Sequence, residues 1–278
     1  MNITAIIIAK NEELMIANCI EALRWCKEIV VIDNGSDDDT AKLAEALGVR
    51  VIGFGSADFS KVRNEGLHRS KTDWLFYVDA DERVSPELAK EILVNIETNT
   101  GDAFKMKREN ICYGYKLNHG GWGQDFVTRV FKKSVLEGWQ GAIHESPIFK
   151  GKVVELKNSL LHLTHRSTVD NLRKSAEWTQ IEAELLHKAG VGPVTTLTFF
   201  RKGIMEFVRR AFLKGGRADG MAGYVEALVQ AMNRVMVYIQ VWEMQQKPSL
   251  PDRYAKVEKD LANSWKKELP NMLAEIKK

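Results

Sequence analysis

Trp74-Leu75-Phe76-Tyr77-Val78-Asp79-Ala80-Asp81-Glu82 decides the fold of this chain: an apolar run that ends abruptly in two aspartates separated by one small residue. Such a run reads as a strand buried on both faces, as in a parallel sheet covered by helices. Its carboxylates then emerge at the strand's carboxyl end, where open α/β sheets bind ligands. Two hard oxygen donors there suit Mg²⁺ or Mn²⁺ held together with a substrate phosphate. Ser85-Pro86-Glu87-Leu88 looks like a helix start and leaves open a plainer reading, a strand followed by an acidic helix cap.

Upstream, strand and helix signals alternate. Ile3–Ala9, Ile29–Asp33 and Val51–Phe54 read as strands, and Glu12–Arg24, Thr40–Leu47 and Ser60–Ser70 as helices. This alternation predicts α/β architecture, a parallel sheet wound with helices on both faces. Each strand ends in polar residues: Lys10-Asn11-Glu12, Asp33-Asn34-Gly35-Ser36-Asp37 and Asp79-Ala80-Asp81. Polar loops gathered at one sheet edge define a crevice. From about Gly101 to His165 the segments turn short and β-like with glycine punctuation, and beyond Ser167 the pattern is helical.

The 278 residues carry a net charge of +3, too small to imply nucleic acid. Cys19, Cys26 and Cys112 show no paired ligand spacing, so neither a disulfide framework nor a zinc site is expected, and a reducing compartment is. Ile3-Thr4-Ala5-Ile6-Ile7-Ile8-Ala9 reads as a strand and not as a signal peptide. The most apolar helical stretch, Met221–Trp242, is interrupted by polar residues at helical spacing, so no membrane crossing is expected.

Asp33, at a strand tip, can accept the N–H of a pyrimidine base, while the turn after it and the following helix start favour a diphosphate. Asp37–Asp39 read more simply as a turn and N-cap. Asn11 fits a helix cap, and Glu12 can face the nucleoside. Arg63 and Asn64 either reach the base or phosphates or lie on a solvated helix face.

Taken together, the strand-Asn-Glu, Asp-Asn-Gly-Ser-Asp, Arg63-Asn64 and Asp79-Ala80-Asp81-Glu82 motifs resemble the inverting glycosyltransferases of family 2, which have the GT-A fold. Downstream, His119-Gly120-Gly121-Trp122, Asp125, Arg129-Val130-Phe131, His144-Glu145 and Phe212-Leu213-Lys214-Gly215-Gly216-Arg217-Ala218-Asp219-Gly220 resemble the lipopolysaccharide inner-core glucosyltransferase branch. Asn34 departs from the pattern, since many members carry a second aspartate there.

The resemblance implies a GT-A sheet flanked by helices. Residues 1–100 form its nucleotide-sugar half, 101–166 its acceptor half, and 167–278 a helical C-terminal extension. It implies transfer of a sugar, glucose from a UDP-sugar, to a lipopolysaccharide-core or related glycan; a polyprenyl phosphate is the alternative acceptor. Asn11, Glu12, Asp33, Asn34, Arg63 and Asp79 would bind the donor nucleotide. Asp79, Asp81 and His162 would hold Mg²⁺ or Mn²⁺, although His162 beside Leu160, Leu161 and Leu163 also reads as a buried core histidine, and His165 is a second candidate. Glu145 would be the general base, with Asp125 as runner-up; pairing with Arg129 or Arg166 is the plainer role for Glu145. Gly121, Trp122 and His144 would contact acceptor or donor sugar.

Phe200, Ile204, Phe207, Val208 and Ala211 form an apolar stripe bordered by Arg201, Lys202, Arg209, Arg210, Lys214 and Arg217, which suits the cytoplasmic face of an anionic inner membrane as well as a packed helix with a basic face. Tyr254, Val257, Leu261 and Trp265 make a second stripe suited to packing or oligomer contact. Two rival enzyme classes fit poorly. A haloacid-dehalogenase-type phosphatase places Asp-x-Asp on its first strand, and a nucleotidylyltransferase needs a glycine-rich loop where Lys10-Asn11-Glu12 stands.

Overall fold

The computed structural model describes residues 2–141 and 145–276. The first half runs β1 (Ile3–Ala9), α1 (Ile16–Glu21), β2 (Glu28–Asp33), α2 (Thr40–Ala46), β3 (Arg50–Gly53), α3 (Phe59–Arg69), β4 (Trp74–Asp79), β5 (Glu82–Arg83) and α4 (Pro86–Glu97). Then come β6 (Ala103–Cys112), β7 (Tyr115–Lys116), β8 (Phe126–Lys132), β9 (Leu136–Gln140), β10 (Ser146–Phe149), β11 (Val153–Glu155) and β12 (Leu160–Thr164). The rest is helical: α5 (Thr168–Lys188), α6 (Thr196–Val208), α7 (Gly220–Met244) and α8 (Leu250–Ile276).

The main sheet is ordered β3-β2-β1-β4-β8-β6-β12-β5, with β7 and β11 on β6, while β9 and β10 pair separately. β1 to β4 are parallel, as the alternation requires. Beyond β4 the sheet is mixed and not purely parallel, because β8 runs antiparallel to both β4 and β6. No helical crossover separates β6 from β8, and strands joined without one return in the opposite direction.

Period-two alternation divides the core. Ile3, Ala5, Ile7, Trp74, Phe76 and Val78 face a cluster completed by α1 and α4, whereas Ile6, Ile8, Leu75 and Tyr77 face α3 and β9. Both faces of β4 are therefore filled, which is why its sequence is apolar throughout. Helix α3 approaches β1 so closely that a Cβ on Gly66 would lie 2.5 Å from Ile6. Ser85 caps α4 by accepting the Leu88 N–H at 3.2 Å, with Pro86 in the first turn. Strand tip and helix cap thus both occur in the 79–88 stretch.

The expected helix at Glu12–Arg24 shortens to α1. Its entry is a turn in which the Glu12 carbonyl accepts the N–H groups of Met15 and Ile16. Asn11 is in the left-handed region, φ 54°, and does not cap the helix. Asp39 occupies the N-cap of α2 without a side-chain cap hydrogen bond, and Asp38 accepts the Thr40 N–H at 3.0 Å.

The chain forms two compact units, Met1–Asn171 with Arg209–Glu226, and Leu172–Val208 with Ala227–Lys278. Segment 209–226 thus belongs with the sheet rather than with a helical extension. Gly216 permits the close approach: a Cβ there would lie 2.7 Å from the Arg210 carbonyl oxygen and 3.4 Å from the Gly120 Cα. The Gly120 N–H reaches the Lys214 carbonyl at 2.9 Å, and Asp219 accepts the N–H groups of Asn118 and His119. In the second unit, Ala183, Val194, Val237, Tyr238 and Val241 form a small core. No helix among the described residues is long and apolar enough to cross a membrane.

Phe76 is fully buried in β4. Phe76→Ala should lower the stability of the sheet unit by about 3–5 kcal/mol, read from the urea unfolding midpoint at unchanged slope.

Candidate active site

The parallel register sets the floor of the site: Ala9 lies beside Asp33, Ile8 beside Asp79, and Asp33 beside Gly53. The ends of four strands thereby share one edge. Asp33 is buried, and its carboxylate accepts the Ser36 hydroxyl at 2.5 Å and the Ser36 N–H at 3.2 Å. Ser36 Oγ in turn accepts the Asn11 N–H at 2.9 Å, and Asn11 Oδ1 accepts the Asp37 N–H at 2.8 Å. Asn11 and Ser36 lace the first two loops together. Asn34 is buried and accepts the Ser56 N–H at 2.7 Å, tying the second loop to the third. Glu12 is buried and pairs with Arg166 at 3.0 Å, which joins the β1 exit to the segment after β12.

Asp79 is the electrostatic centre. Its carboxylate accepts from Arg63 at 2.9 Å on one oxygen and from Arg129 at 2.5 Å on the other. Burial alone would raise its pKa, but Arg129 and Arg63 outweigh burial and hold the carboxyl well below the usual carboxylate range. Glu82, fully buried, accepts the Asp79 N–H at 2.9 Å and pairs with Arg129 at 2.9 Å and Arg108 at 3.3 Å. It locks the tight turn between the two aspartates. These ion pairs leave Asp79 committed to guanidinium groups.

Asp81 is buried and lies against β12. β12 pairs antiparallel with β5, setting His162 opposite Glu82 and bringing His162 Nε2 to 3.6 Å from Asp81 Oδ2. On its other side His162 Nδ1 contacts Asn110 Oδ1 at 2.6 Å. The Asn110 amide nitrogen is engaged by the Trp122 carbonyl and Asp125 Oδ2, so Oδ1 is the accepting end and the proton resides on His162 Nδ1. His162 Nε2 therefore faces the Asp81 carboxylate. His162 lies in a polar cluster and not simply among its leucine neighbours.

Arg63 faces inward from α3, not toward solvent. Besides Asp79, it donates through Nε to Glu145 Oε1 at 2.7 Å, and its guanidinium lies 4.9 Å from the Trp139 ring. Glu145 is thus paired with Arg63 rather than with Arg129 or Arg166. Among the described residues only its Oε1 is engaged in this way, and the side chain keeps 14% exposure. Asp125 is likewise engaged through one oxygen, its Oδ2 accepting from Arg108 Nε at 2.8 Å and from the Asn110 amide at 3.0 Å. Asn64 brackets the Trp139 backbone, donating at 3.0 Å and accepting at 2.8 Å, which seats β9 on α3. Gly121 is exposed at φ 103°, with Arg210 and Lys214 beside it. Trp122 is half-buried, with its ring edge-on to His165 at 5.4 Å. His144 lies outside the described residues.

Five buried donors find no hydrogen-bond partner among the described residues: Arg63 Nη1, Arg129 Nε, Arg166 Nη1, Trp122 Nε1 and Trp139 Nε1. Buried donors are nearly always satisfied, so this is the environment an oxygen-rich ligand would complete. The sequence reading gave no role to Arg108 or Asn110. They lie two apart on β6, where alternation sends both side chains to one face, and that spacing was the available signal.

The profile of glycosyl transferase family 2 matches residues 4–149, more than half of the chain. The lipopolysaccharide core biosynthesis glycosyltransferase LpsC of Rhizobium meliloti (strain 1021) is 25% identical over 268 residues, covering 90% of this chain and 96% of LpsC. An uncharacterized glycosyltransferase of Rickettsia typhi is 25% identical over 247 residues, 84% of each chain. Among solved structures, S. aureus TarS in complex with UDP-GlcNAc matches 90% of this chain and 93% of its own at 15% identity, TM-score 0.44. Glucosyl-3-phosphoglycerate synthase from Mycobacterium tuberculosis with Mn²⁺ and UDP-glucose matches 69% and 80% at 18% identity, TM-score 0.45.

Because the Asp79 pKa is depressed on folding, its contribution to stability is complete above the unfolded carboxyl value, about 3.9. That contribution is lost as pH falls through the lower native value. Asp79→Asn should therefore flatten the acid limb of the stability profile below about pH 4, measured by urea unfolding from pH 2 to 7.

Proposed function

Because the chain belongs to glycosyl transferase family 2, a family of inverting GT-A enzymes, we propose that it moves a sugar from a UDP-sugar onto a lipopolysaccharide-core or related glycan. The observation that carries this reading is the Arg63 bridge, which joins the Asp-x-Asp tip to Glu145 across one guanidinium. Similarity to LpsC over nearly the whole chain supports the acceptor class, and the family resemblance supports glucose and uridine diphosphate.

In this reading the acceptor hydroxyl attacks the anomeric carbon. The bond from that carbon to the diphosphate oxygen breaks on the opposite face, and configuration inverts. Glu145 takes the hydroxyl proton on Oε2, while Arg63 holds Oε1 and so fixes the carboxylate's orientation. The unpartnered Arg63 Nη1 and Arg166 Nη1 donate to oxygens of the donor or acceptor. Asp33 and the loop laced by Asn11, Ser36 and Asn34 receive the uracil and ribose. Gly121 and Trp122 line the sugar subsite, and Asp125 positions Arg108 and Asn110 instead of serving as base.

The donor set fits a divalent cation. Asp81 Oδ2 and His162 Nε2 lie 3.6 Å apart, one oxygen and one nitrogen donor of the kind a divalent cation takes. One nitrogen donor suits Mn²⁺ better than Mg²⁺, which prefers oxygen alone. Asp81 and His162 would hold the ion, with Asp79 behind them as an Arg-paired support. Such an ion neutralises charge on a departing diphosphate.

Incubation with a panel of nucleotide sugars, Mn²⁺ and heptose-containing core oligosaccharide should label the oligosaccharide. Labelling of a polyprenyl phosphate alone would refute the acceptor assignment. Glu145→Gln should lower kcat by about 10²–10⁴-fold with little change in donor binding. Asp81→Asn should abolish the rate response to Mn²⁺ titration.

The exposed face of α6 supports a membrane-facing role. Leu197, Phe200, Ile204 and Met205 are each at least 59% exposed, beside the exposed Arg201. An apolar helix face bordered by positive charge suits an anionic leaflet, which would bring a lipid-anchored acceptor to the enzyme. The protein should co-sediment with phosphatidylglycerol-containing vesicles, and Phe200→Ser with Ile204→Ser should reduce binding at unchanged turnover on soluble acceptor. Equal sedimentation of both proteins would rule this surface out.

A further inference from the structure

A second cluster of ligating side chains lies apart from the Asp81–His162 pair. Cys112 ends β6 and is fully buried, His165 directly follows β12, and Glu226 projects from the first turns of α7 with 2% exposure. One potential ligand atom from each lies within 4.8 Å of the other two. The arrangement is fixed by the backbone. β12 pairs with β6 so that Thr164 is opposite Cys112, and the Tyr113 N–H then reaches the His165 carbonyl at 3.0 Å. His165 adopts φ 46°, a left-handed conformation uncommon for a residue with a side chain.

We propose that Cys112, His165 and Glu226 form a binding site for a zinc-type divalent cation, with solvent in the fourth position. One thiolate, one imidazole and one carboxylate make a mixed set that zinc accepts in four-coordinate geometry. The sulfur donor selects against Mg²⁺ and Mn²⁺, so this site and the proposed nucleotide site would take different metals. His165 keeps 14% side-chain exposure, which gives solvent access to the remaining position.

The metal-free geometry is close to that required. His165 Nδ1 and Glu226 Oε2 are hydrogen-bonded at 2.7 Å, whereas two ligands with bonds near 2.0–2.1 Å to a tetrahedral ion sit about 3.3 Å apart. The pair needs only to open by a fraction of an ångström. Burial, reinforced by the Glu226 charge, pushes the Cys112 thiol well up. Binding must therefore release the thiol proton, so affinity should rise with pH.

The consequence is structural. Such an ion would staple α7 to the ends of β6 and β12, and through the His165 ring it would brace Trp122 in the glycine loop. This site does not depend on the transfer reaction.

The test uses the full chain, freed of metal by chelation and then loaded with Zn²⁺ or Co²⁺. About one Zn²⁺ per chain should survive dialysis. The Co²⁺ form should show thiolate-to-cobalt charge-transfer absorption, and Zn²⁺ should raise the Tm. Cys112→Ser should remove the absorption and weaken Zn²⁺ binding by at least the roughly 10–100-fold that loss of an outer-sphere partner costs. Glu226→Gln should weaken binding while retaining the absorption. Asp81→Asn should leave both intact while losing the Mn²⁺ response of turnover, separating this site from the nucleotide site. Absence of the charge-transfer band from wild-type protein would overturn the proposal without recourse to any variant. So would Zn²⁺ affinity unchanged in Cys112→Ser.

Discussion

The site is organised by two buried guanidinium groups set against a carboxylate. Asp79 lies between Arg63 and Arg129, and Glu82 closes the cluster beneath it. Removing a carboxylate from water carries a heavy penalty unless cations and hydrogen bonds replace its hydration, and here two guanidiniums and a tight turn do so. The same turn sets Asp81 beside His162 of β12. Arg63 carries the same constraint further, since its Nε holds Glu145, so the acidic strand tip and the candidate base share one rigid cation.

This explains a division of labour among chemically similar residues. Asp79 and Glu82 are held by arginines, Asp125 and Glu145 are each engaged through one oxygen, and Asp81 lies beside His162. Asn110 performs a comparable sorting for His162, fixing its tautomer from behind. Conserving charge while redirecting lone pairs is what turns an acidic cluster into a directional site.

Much of the architecture is legible in the chain because its causes are local. The apolar run at 74–78 requires burial on both faces, Ser85-Pro86 starts a helix by capping chemistry, and the alternation of strands and helices forces β1 to β4 into parallel order. That Asp33, Asp79 and Asp81 stand at one sheet edge is legible because strand ends in such a sheet converge. The antiparallel insertion of β8 was not legible, since strand direction depends on how the connection returns rather than on the strand's own residues. The left-handed Asn11 was misread as a cap because asparagine favours both roles. The glycine-rich segment at 209–226 read as tail, yet it packs against a loop about a hundred residues earlier through backbone contacts that no periodicity encodes.

By itself, the sequence determined which elements form, which residues fill both faces of the sheet, and which carboxylates stand at its edge, since propensity, capping and burial act over a few neighbouring residues. Tertiary structure alone decided which arginine meets which acid, that His162 turns Nε2 toward Asp81, and that Cys112, His165 and Glu226 come together. Those pairings join residues far apart in the chain, and their geometry exists only once the strands are in register.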